Sequence, residues 1–220
     1  ESIDLIEFDP PYSIESISSR DPGKASPVIE AFIKESFVNL EKDVFLIALD
    51  RILSDFYRVM KPNSWLICWY AAHPWANDIY ECLIKKGFLL RRITAIWNKS
   101  LGERDRMRSA SPDNYLGRMH ENFYYARKGD AVIRDRTRSD VFNYRTLSQQ
   151  DRIHPTEKPL SLVQDILKTF TMPGSNILCP FLGSGNTILA AHLEGMTCTG
   201  WDLAQEYKDR YTLRVKEMFK

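Results

Sequence analysis

Apolar and polar positions divide the chain into short apolar runs and longer segments with helical spacing. Residues 3–8 form the first apolar run, which predicts a buried strand that must end at Asp9 because two prolines follow. From residue 43, apolar side chains recur at helical spacing as far as the Lys-Pro-Asn of residues 61–63. The nearly all-apolar residues 64–70 predict the next strand. The beginning of the chain therefore predicts a strand, a helix and a strand.

The same alternation continues towards the end of the chain. Further strands are predicted at residues 88–97, 175–179 and 196–202, and further helices at residues 75–86, 159–170 and 186–194 and in a last segment ending at residue 220. Strands that alternate with helices are typical of parallel βαβ units. The pattern therefore predicts an α/β fold.

Residues 98–152 interrupt this alternation and are locally basic. They hold twelve Lys or Arg residues against eight Asp or Glu, with aromatic residues between them. Basic and aromatic side chains together suit a nucleic-acid surface, and Arg104, Arg106 and Arg108 are the best candidates for phosphate contacts. A solvated charged loop is the alternative. Within this segment, residues 120–129 predict a strand at the edge of the sheet.

Composition excludes several classes of protein. Among 220 residues the formal net charge is +1, so the chain has no global field like that of a histone or an acidic tail. Its apolar runs are much shorter than a membrane span, and no leader segment precedes them. The four cysteines lie far apart, so neither a disulfide framework nor a metal site is predicted. We expect a soluble, cytoplasmic protein with natural sequence missing upstream of Glu1.

A glycine-rich turn, CPFLGSGNT at residues 179–187, joins a predicted strand to a predicted helix. It is not a phosphate-binding P-loop, because one residue separates the glycines and no lysine follows them, and it lacks the third glycine of a dinucleotide fingerprint. Asp202 ends the next strand, where doubly wound folds bind the diol of a ribose. A helix cap is the alternative role for Asp202. Together these features predict a nucleoside-binding half.

Three motifs carry a resemblance to a known family. DPPY at residues 9–12, HPTEKP at residues 154–159 and FLGSGNT at residues 181–187 together resemble the S-adenosyl-methionine (SAM)-dependent amino-methyltransferases of DNA bases. Their order resembles the beta group of that family, and the resemblance spans almost the whole chain. It implies a doubly wound, Rossmann-like sheet of seven strands in which the catalytic half comes first.

The resemblance also implies a division of the chain and a set of site residues. Residues 1–97 would form the catalytic half, residues 98–152 a target-recognition insertion and residues 153–220 the cofactor-binding half. The catalytic motif would comprise Asp9, Pro10, Pro11 and Tyr12. The cofactor residues would be Phe181, Gly183, Ser184, Gly185, Thr187 and Asp202, with His154, Thr156 and Lys158 towards the methionine end.

Two departures from the family pattern qualify this expectation. The family loop usually begins with Asp, where this chain has Cys179, and a lost acid there would weaken contact with the charged amino group of the cofactor. An upstream acidic segment that usually helps to hold the adenine of the cofactor is absent.

The motif at residues 9–12 suits methyl transfer to an exocyclic amino group. Such a base must be flipped out of the duplex, and its amino lone pair is delocalised into the ring. The Asp9 carboxylate and the Pro10 carbonyl would each accept an N–H hydrogen bond, and Tyr12 would stack on the base. No covalent nucleophile is required, which argues against cytosine carbon-5 methylation.

The resemblance therefore implies a DNA methyltransferase acting on adenine N6, because DPPY accompanies mainly adenine in the family. Cytosine N4 is the first alternative, RNA or a protein glutamine the second, and a non-catalytic nucleic-acid-binding module the third. Double-stranded DNA is the expected partner, with a second subunit or a further specificity domain to assist recognition. A bacterial or phage restriction-modification setting is expected.

Overall fold

A seven-stranded sheet forms the centre of the computed structural model, which describes residues 1–10, 42–99, 113–114, 116–148 and 150–220, with only the backbone of residues 72–74. In chain order its elements are β1 (Ile3–Phe8), α1 (Lys42–Val59), β2 (Met60–Tyr70), α2 (Ala72–Lys85), β3 (Ala95–Asn98), β4 (His120–Lys128), β5 (Val141–Asn143), α3 (Leu160–Phe170), β6 (Asn176–Cys179), α4 (Asn186–Leu193), β7 (Thr197–Gly200) and α5 (Gln205–Met218). No described helix is long and apolar enough to span a membrane.

Strand pairing makes the sheet largely parallel. Its order is β5-β3-β4-β2-β1-β6-β7, and β4 alone among the described strands runs antiparallel to its neighbours. β1 is parallel to both β2 and β6, so the strands that lead into the DPPY and glycine motifs are adjacent. Their carboxyl ends meet at one edge of the sheet, where open α/β folds bind ligands. The predicted α/β fold with a sheet of seven strands is confirmed.

Helices cover both faces of this sheet. Leu5 and Ile6 are successive residues of β1, and both are 0% exposed. Because side chains alternate along a strand, Leu5 packs into the core that contains Leu162 of α3, whereas Ile6 packs into the core that contains Leu49 of α1. A strand buried on both faces has no solvent-facing side, which explains why β1 is apolar except at Asp4 and Glu7.

The expected edge position of residues 120–129 is wrong. β4 lies inside the sheet, between β2 and β3. Phe123 and Ala126 are both 0% exposed and belong to opposite cores, so this strand is also buried on both faces. Residues 98–152 therefore contribute β4 and β5 to the main sheet.

The strand predicted over residues 88–97 is shorter in the structure than its apolar pattern suggested. Only the end of it forms β3, and Leu89 makes a single antiparallel bridge with Arg127. β3 pairs with β4 on one side and β5 on the other, and β5 was not predicted.

Candidate active site

Asp9 lies just beyond the carboxyl end of β1, on the side of the glycine turn. Its Oδ2 atom forms an ion pair with the ammonium of Lys158, and the exposed fractions of the two side chains are 28% and 9%. Pro10 is buried behind it. Pro11 and Tyr12, the other predicted members of the catalytic motif, lie outside the described residues, as do Arg104, Arg106 and Arg108. The described part of the motif is thus a carboxylate held by a buried cation.

Lys158 was expected at the methionine end of the cofactor, and the structure places its ammonium on Asp9. Its Nζ atom also lies 4.3 Å from the ring centroid of Trp69. Burial by itself lowers the pKa of Lys158, but the nearby carboxylates of Asp9, Glu121 and Glu7 raise it above the ordinary value. The lysine is therefore positively charged, and contact with the cofactor stays a prediction.

Glu7 is a site residue that the sequence analysis missed. It is buried, and its Oε1 atom accepts a hydrogen bond of 2.7 Å from the indole N–H of Trp69. Its Oε2 atom accepts one of 3.0 Å from the thiol of Cys179 and one of 3.2 Å from the hydroxyl of Thr187. Burial raises the pKa of Glu7, and the charge of Lys158 opposes that rise. The available signal was an acid near the carboxyl end of a short, mostly apolar strand, two residues before Asp9.

The glycine turn between β6 and α4 needs both of its glycines. Gly183 and Gly185 have φ values of 54° and 82°, in the region that residues with a Cβ atom rarely adopt. A Cβ atom on Gly185 would also lie 2.3 Å from Cδ2 of Tyr211 on α5. The turn therefore brings backbone amides close to the end of β6, as a ligand-binding turn requires.

Asp202 holds the same turn from the end of β7. Its Oδ2 atom accepts a hydrogen bond of 2.8 Å from the amide of Gly183, and its Oδ1 atom accepts one of 3.0 Å from the amide of Ala204. The residue is exposed to solvent. This geometry joins the acid to the glycine turn, and its contact with a ribose stays a prediction.

The HPTEKP segment is fastened by Glu157, another residue that the sequence analysis passed over. The Glu157 side chain is 0% exposed and pairs with Nη1 of Arg214 at 2.5 Å. Its Oε2 atom accepts hydrogen bonds from the backbone amides of Ile153 and His154, at 2.5 and 3.3 Å. Asn186, at the start of α4, donates to Oε1 at 2.9 Å. A buried ion pair thus ties this segment to α4 and α5.

His154 faces the glycine turn. A Cβ atom on Gly183 would lie 3.6 Å from its ring, and the ring meets that of Tyr207 edge-on at 4.6 Å. Thr156 donates to Nδ1 through its amide at 3.3 Å, and its hydroxyl lies 3.0 Å from the same atom. Burial lowers the pKa of His154, against the raising effect of Asp202. Since Nδ1 accepts a hydrogen bond, the neutral ring carries its proton on Nε2.

The remaining predicted residues lie in or beside the turn. Phe181 packs on Phe8 of β1 with ring centroids 5.6 Å apart, Ser184 is buried, and Thr187 binds Glu7. Tyr70, at the end of β2, stacks on Tyr124 at 4.5 Å and is 7% exposed, so it packs in the core. The structure therefore brings all the predicted cofactor residues to one edge of the sheet, beside Asp9.

These residues fit a positively charged nucleoside cofactor such as SAM. The glycine turn and Asp202 provide the type of cradle that binds nucleosides at the carboxyl edge of a parallel sheet. The ammonium of Lys158 pairs with Asp9 and also acts on the carboxylate of Glu7 through its charge, so two acids and one cation lie beside the turn. Among the described residues, no group of three or more His, Cys, Asp or Glu side chains is placed to hold a metal ion.

Comparisons with known proteins bear on the family of this fold and site. A sequence model of N6/N4 methyltransferases, described as DNA methylase, matches residues 3–213. Type II methyltransferase M2.DpnII of Streptococcus pneumoniae is 26% identical over 231 residues, covering 94% of this chain and 80% of that protein.

Two solved structures share the fold. The complex of M1.HpyAVI with SAM has a TM-score of 0.68 at 19% identity, covering 97% of this chain and 89% of its own. PvuII DNA methyltransferase, described as cytosine-N4-specific, has a TM-score of 0.72 at 15% identity, covering 97% of this chain and 79% of its own. At these identities the likeness concerns the fold.

Proposed function

Because the chain belongs to the family of N6/N4 DNA methylases, we propose that it transfers the methyl group of SAM to the N6 amino group of adenine in double-stranded DNA. The observation that carries this proposal is the position of Asp9. Its carboxylate stands at the carboxyl end of β1, anchored by Lys158 and adjacent to the glycine turn that follows β6. A hydrogen-bond acceptor and a cofactor cradle therefore lie side by side.

Asp9 can act as the acceptor for the target amino group. Lys158 occupies Oδ2, and within the described part of the chain no hydrogen bond reaches Oδ1. That oxygen is available to accept an N–H of a flipped base, and the buried Pro10 carbonyl is the second acceptor. Two acceptors on one amino group draw its nitrogen towards tetrahedral geometry and free its lone pair for attack.

Lys158 orients this carboxylate. The ammonium of Lys158 contacts both the ring of Trp69 and the carboxylate of Asp9, so it has little freedom to move. A fixed ion pair keeps the carboxylate aimed at one place, which reduces the cost of ordering the reactive geometry.

When bound, SAM supplies an electrophilic methyl group on a positively charged sulfur. The chain would hold it with the glycine turn, Asp202 and the HPTEKP segment. The residues proposed for this contact are Phe181, Gly183, Ser184, Gly185, Thr187, Asp202, His154, Thr156 and Lys158. Because Glu157 fixes the backbone of that segment, His154 is presented to the turn without a long flexible loop.

The preference for adenine rests on the acid in the first position of the DPPY motif. Cytosine N4 is the competing substrate, and it offers a similar amino group to the same acceptors. The anchored carboxylate beside a glycine turn supports a catalytic site over a module that only binds nucleic acid. Phosphate contact by Arg104, Arg106 and Arg108 remains part of the proposal for DNA binding.

The test is identification of the methylated product. The protein is incubated with SAM carrying a deuterated methyl group and unmethylated duplex DNA, which is digested to nucleosides and analysed by mass spectrometry. Labelled N6-methyladenine supports the proposal, and labelled N4-methylcytosine selects the competing substrate.

The matched control is Asp9→Asn, which keeps the size and one acceptor oxygen but removes the charge that Lys158 binds. We expect it to lower the transfer rate by about 100-fold or more, the scale of a lost acid–base group, with little change in SAM affinity. No label with the unaltered protein, together with no binding of SAM by calorimetry, would contradict the proposal.

A further inference from the structure

We propose that the buried carboxylate of Glu7 supplies the negative charge by which this site prefers the cationic SAM to its neutral product, S-adenosylhomocysteine (SAH). The inference rests on the proposed function, since it concerns the cofactor of that reaction. Glu7 would act through its charge, as a specificity-determining residue that lies behind the cofactor turn.

The hydrogen bonds of Glu7 suit its ionised form. Trp69 has only an N–H to donate, and the thiol of Cys179 and the hydroxyl of Thr187 both donate to Oε2. An ionised carboxylate only accepts hydrogen bonds, so all three contacts can form at once. None of the three donors carries a positive charge. Burial raises the pKa of Glu7, whereas the charge of Lys158 and the hydrogen bonds from Cys179 and Trp69 favour the ionised form.

The charges around Glu7 do not balance. Lys158 pairs with Asp9, and the nearby Glu121 pairs with Lys99 at 2.5 Å, whereas the described hydrogen-bond partners of Glu7 are all neutral. Two carboxylates and one ammonium leave one net negative charge in a largely buried cluster. Charges interact more strongly in such surroundings than in water.

The difference between SAM and SAH matches this imbalance. SAM has a sulfonium and an ammonium against one carboxylate, whereas loss of the methyl group leaves SAH with no net charge. A net negative cluster at the cofactor edge therefore favours SAM and disfavours retention of SAH after transfer. No other property of the two molecules differs as much.

The position of Glu7 also explains the departure at residue 179. Ile6 of β1 pairs with Leu178 of β6, so the next residues along the two strands, Glu7 and Cys179, are neighbours, and their side chains meet at 3.0 Å. The family resemblance places an acid at position 179. In this chain the carboxylate reaches the same place from the adjacent strand.

The experiment measures dissociation constants for SAM, SAH and sinefungin by calorimetry. Sinefungin carries an amine in place of the methylated sulfur and is therefore also cationic. In Glu7→Gln, we expect the preference for SAM over SAH to fall by about tenfold, which corresponds to about 1.4 kcal/mol, with sinefungin following SAM. Glutamine keeps the size of the side chain and can still accept from Trp69 and donate to Thr187.

A charge transposition makes the test stricter. Glu7→Gln combined with Cys179→Asp returns one carboxylate to the cluster from β6, and we expect it to recover most of the lost preference. Asp4→Asn is the matched control, because Asp4 is a carboxylate of the same strand whose partner, Lys61, lies at the opposite end. That variant should keep the original preference.

Two results would overturn the inference. One is a Glu7→Gln protein that binds SAM and SAH more weakly by the same factor, which would indicate a structural role. The other is a transposed double variant that folds, as judged by circular dichroism, and binds SAM without regaining the preference. If the unaltered protein binds SAM and methylates DNA in either case, the proposed function stands while this inference fails.

Discussion

The catalytic strand and the cofactor turn obtain their hydrogen bonds from different distances along the chain. In the cofactor half, Gly183 binds Asp202 across 19 residues, and Ile153 binds Glu157 across 4. On the catalytic strand, Asp9 binds Lys158 across 149 residues. The bonds that shape the cofactor turn and the HPTEKP segment thus come from within residues 153–220. The bonds of Glu7 and Asp9 all reach distant parts of the chain, including Thr187 across 180 residues.

The two motifs therefore differ in whether the residues that hold them in place lie nearby in the sequence. The conformation of the glycine turn depends on its own residues, Gly183 and Gly185, so a substitution at either glycine should disturb the turn directly. DPPY contains the proposed acceptor, Asp9, but not the cation that pairs with it, so a change far away in sequence should be as harmful as one within the motif. The following variants test this contrast, beginning with the largest expected effect.

Lys158→Met should be the most damaging change. It leaves Asp9 without its cation and removes a positive charge near Glu7, so we expect a loss of about 3–5 kcal/mol in the free energy of unfolding. We also expect a transfer rate at saturating SAM lower by about 100-fold or more. Urea unfolding and single-turnover kinetics measure the two effects.

Lys61→Met is the matched control for that variant. The Lys61 side chain is 39% exposed and pairs with Asp4, 28% exposed, so we expect a loss of at most about 1 kcal/mol and an unchanged rate. If Lys158→Met weakens SAM binding but keeps the rate at saturation, Lys158 belongs to the cofactor, as its motif predicts, and the contrast between the halves is weaker than stated.

Arg214→Met tests the cofactor half at its buried ion pair. Glu157 would keep a side chain that is 0% exposed without its cation, so we expect a loss of about 3 kcal/mol in the free energy of unfolding. SAM affinity should fall as well, because Glu157 holds the amides next to His154. Arg210→Met removes bonds to the backbone carbonyls of residues 152 and 153 and an exposed ion pair with Glu206 at 4.0 Å, and it should cost about half as much. If Arg214→Met and Arg210→Met lowered the free energy of unfolding and the SAM affinity equally, the buried ion pair with Glu157 would contribute no more than the bonds of Arg210.

Gly185→Ala and Gly183→Ala separate steric conflict from backbone strain. Each places a Cβ atom in the left-handed region, at a cost of about 1–2 kcal/mol. At Gly185 the Cβ atom also meets Tyr211 at 2.3 Å, so this variant should lose about 1–3 kcal/mol more and bind SAM more weakly. Adding Tyr211→Ala should recover the second part of that loss. Thermal unfolding and calorimetry provide the measurements, and equal losses in the two single variants would contradict the packing of α5 on the turn.

The smallest effect concerns the protonation of His154. Burial disfavours its charged form and lowers its pKa below the ordinary 6.5. Because the unfolded chain binds this proton more readily, the contribution of His154 to stability is present above pH 6.5 and is lost as pH falls below it. Proton-detected NMR should give a lower titration midpoint for His154 in the folded protein than in urea. A midpoint at or above the value in urea would be incompatible with the buried ring.

Much of the fold could be predicted because its signals are local. The helical spacing before Lys-Pro-Asn predicted α1, which begins and ends within about a residue of expectation, since periodicity and breakers act over a few residues. The internal position of β4 could not be predicted in this way. It depends on which strands lie on either side, and Phe123 and Ala126 show two buried faces only once β2 and β3 are in place.

By itself, the sequence determined the α/β alternation, the order of the motifs and the glycine turn, because each is expressed in neighbouring residues. Only the tertiary structure decided that Lys158 is the partner of Asp9 and that Glu7 meets Cys179 and Thr187. Parallel pairing of β1 with β6 brings together side chains more than 170 residues apart, as in the 172 residues between Glu7 and Cys179. The charge of a buried carboxylate is set by such neighbours, and no local pattern encodes them.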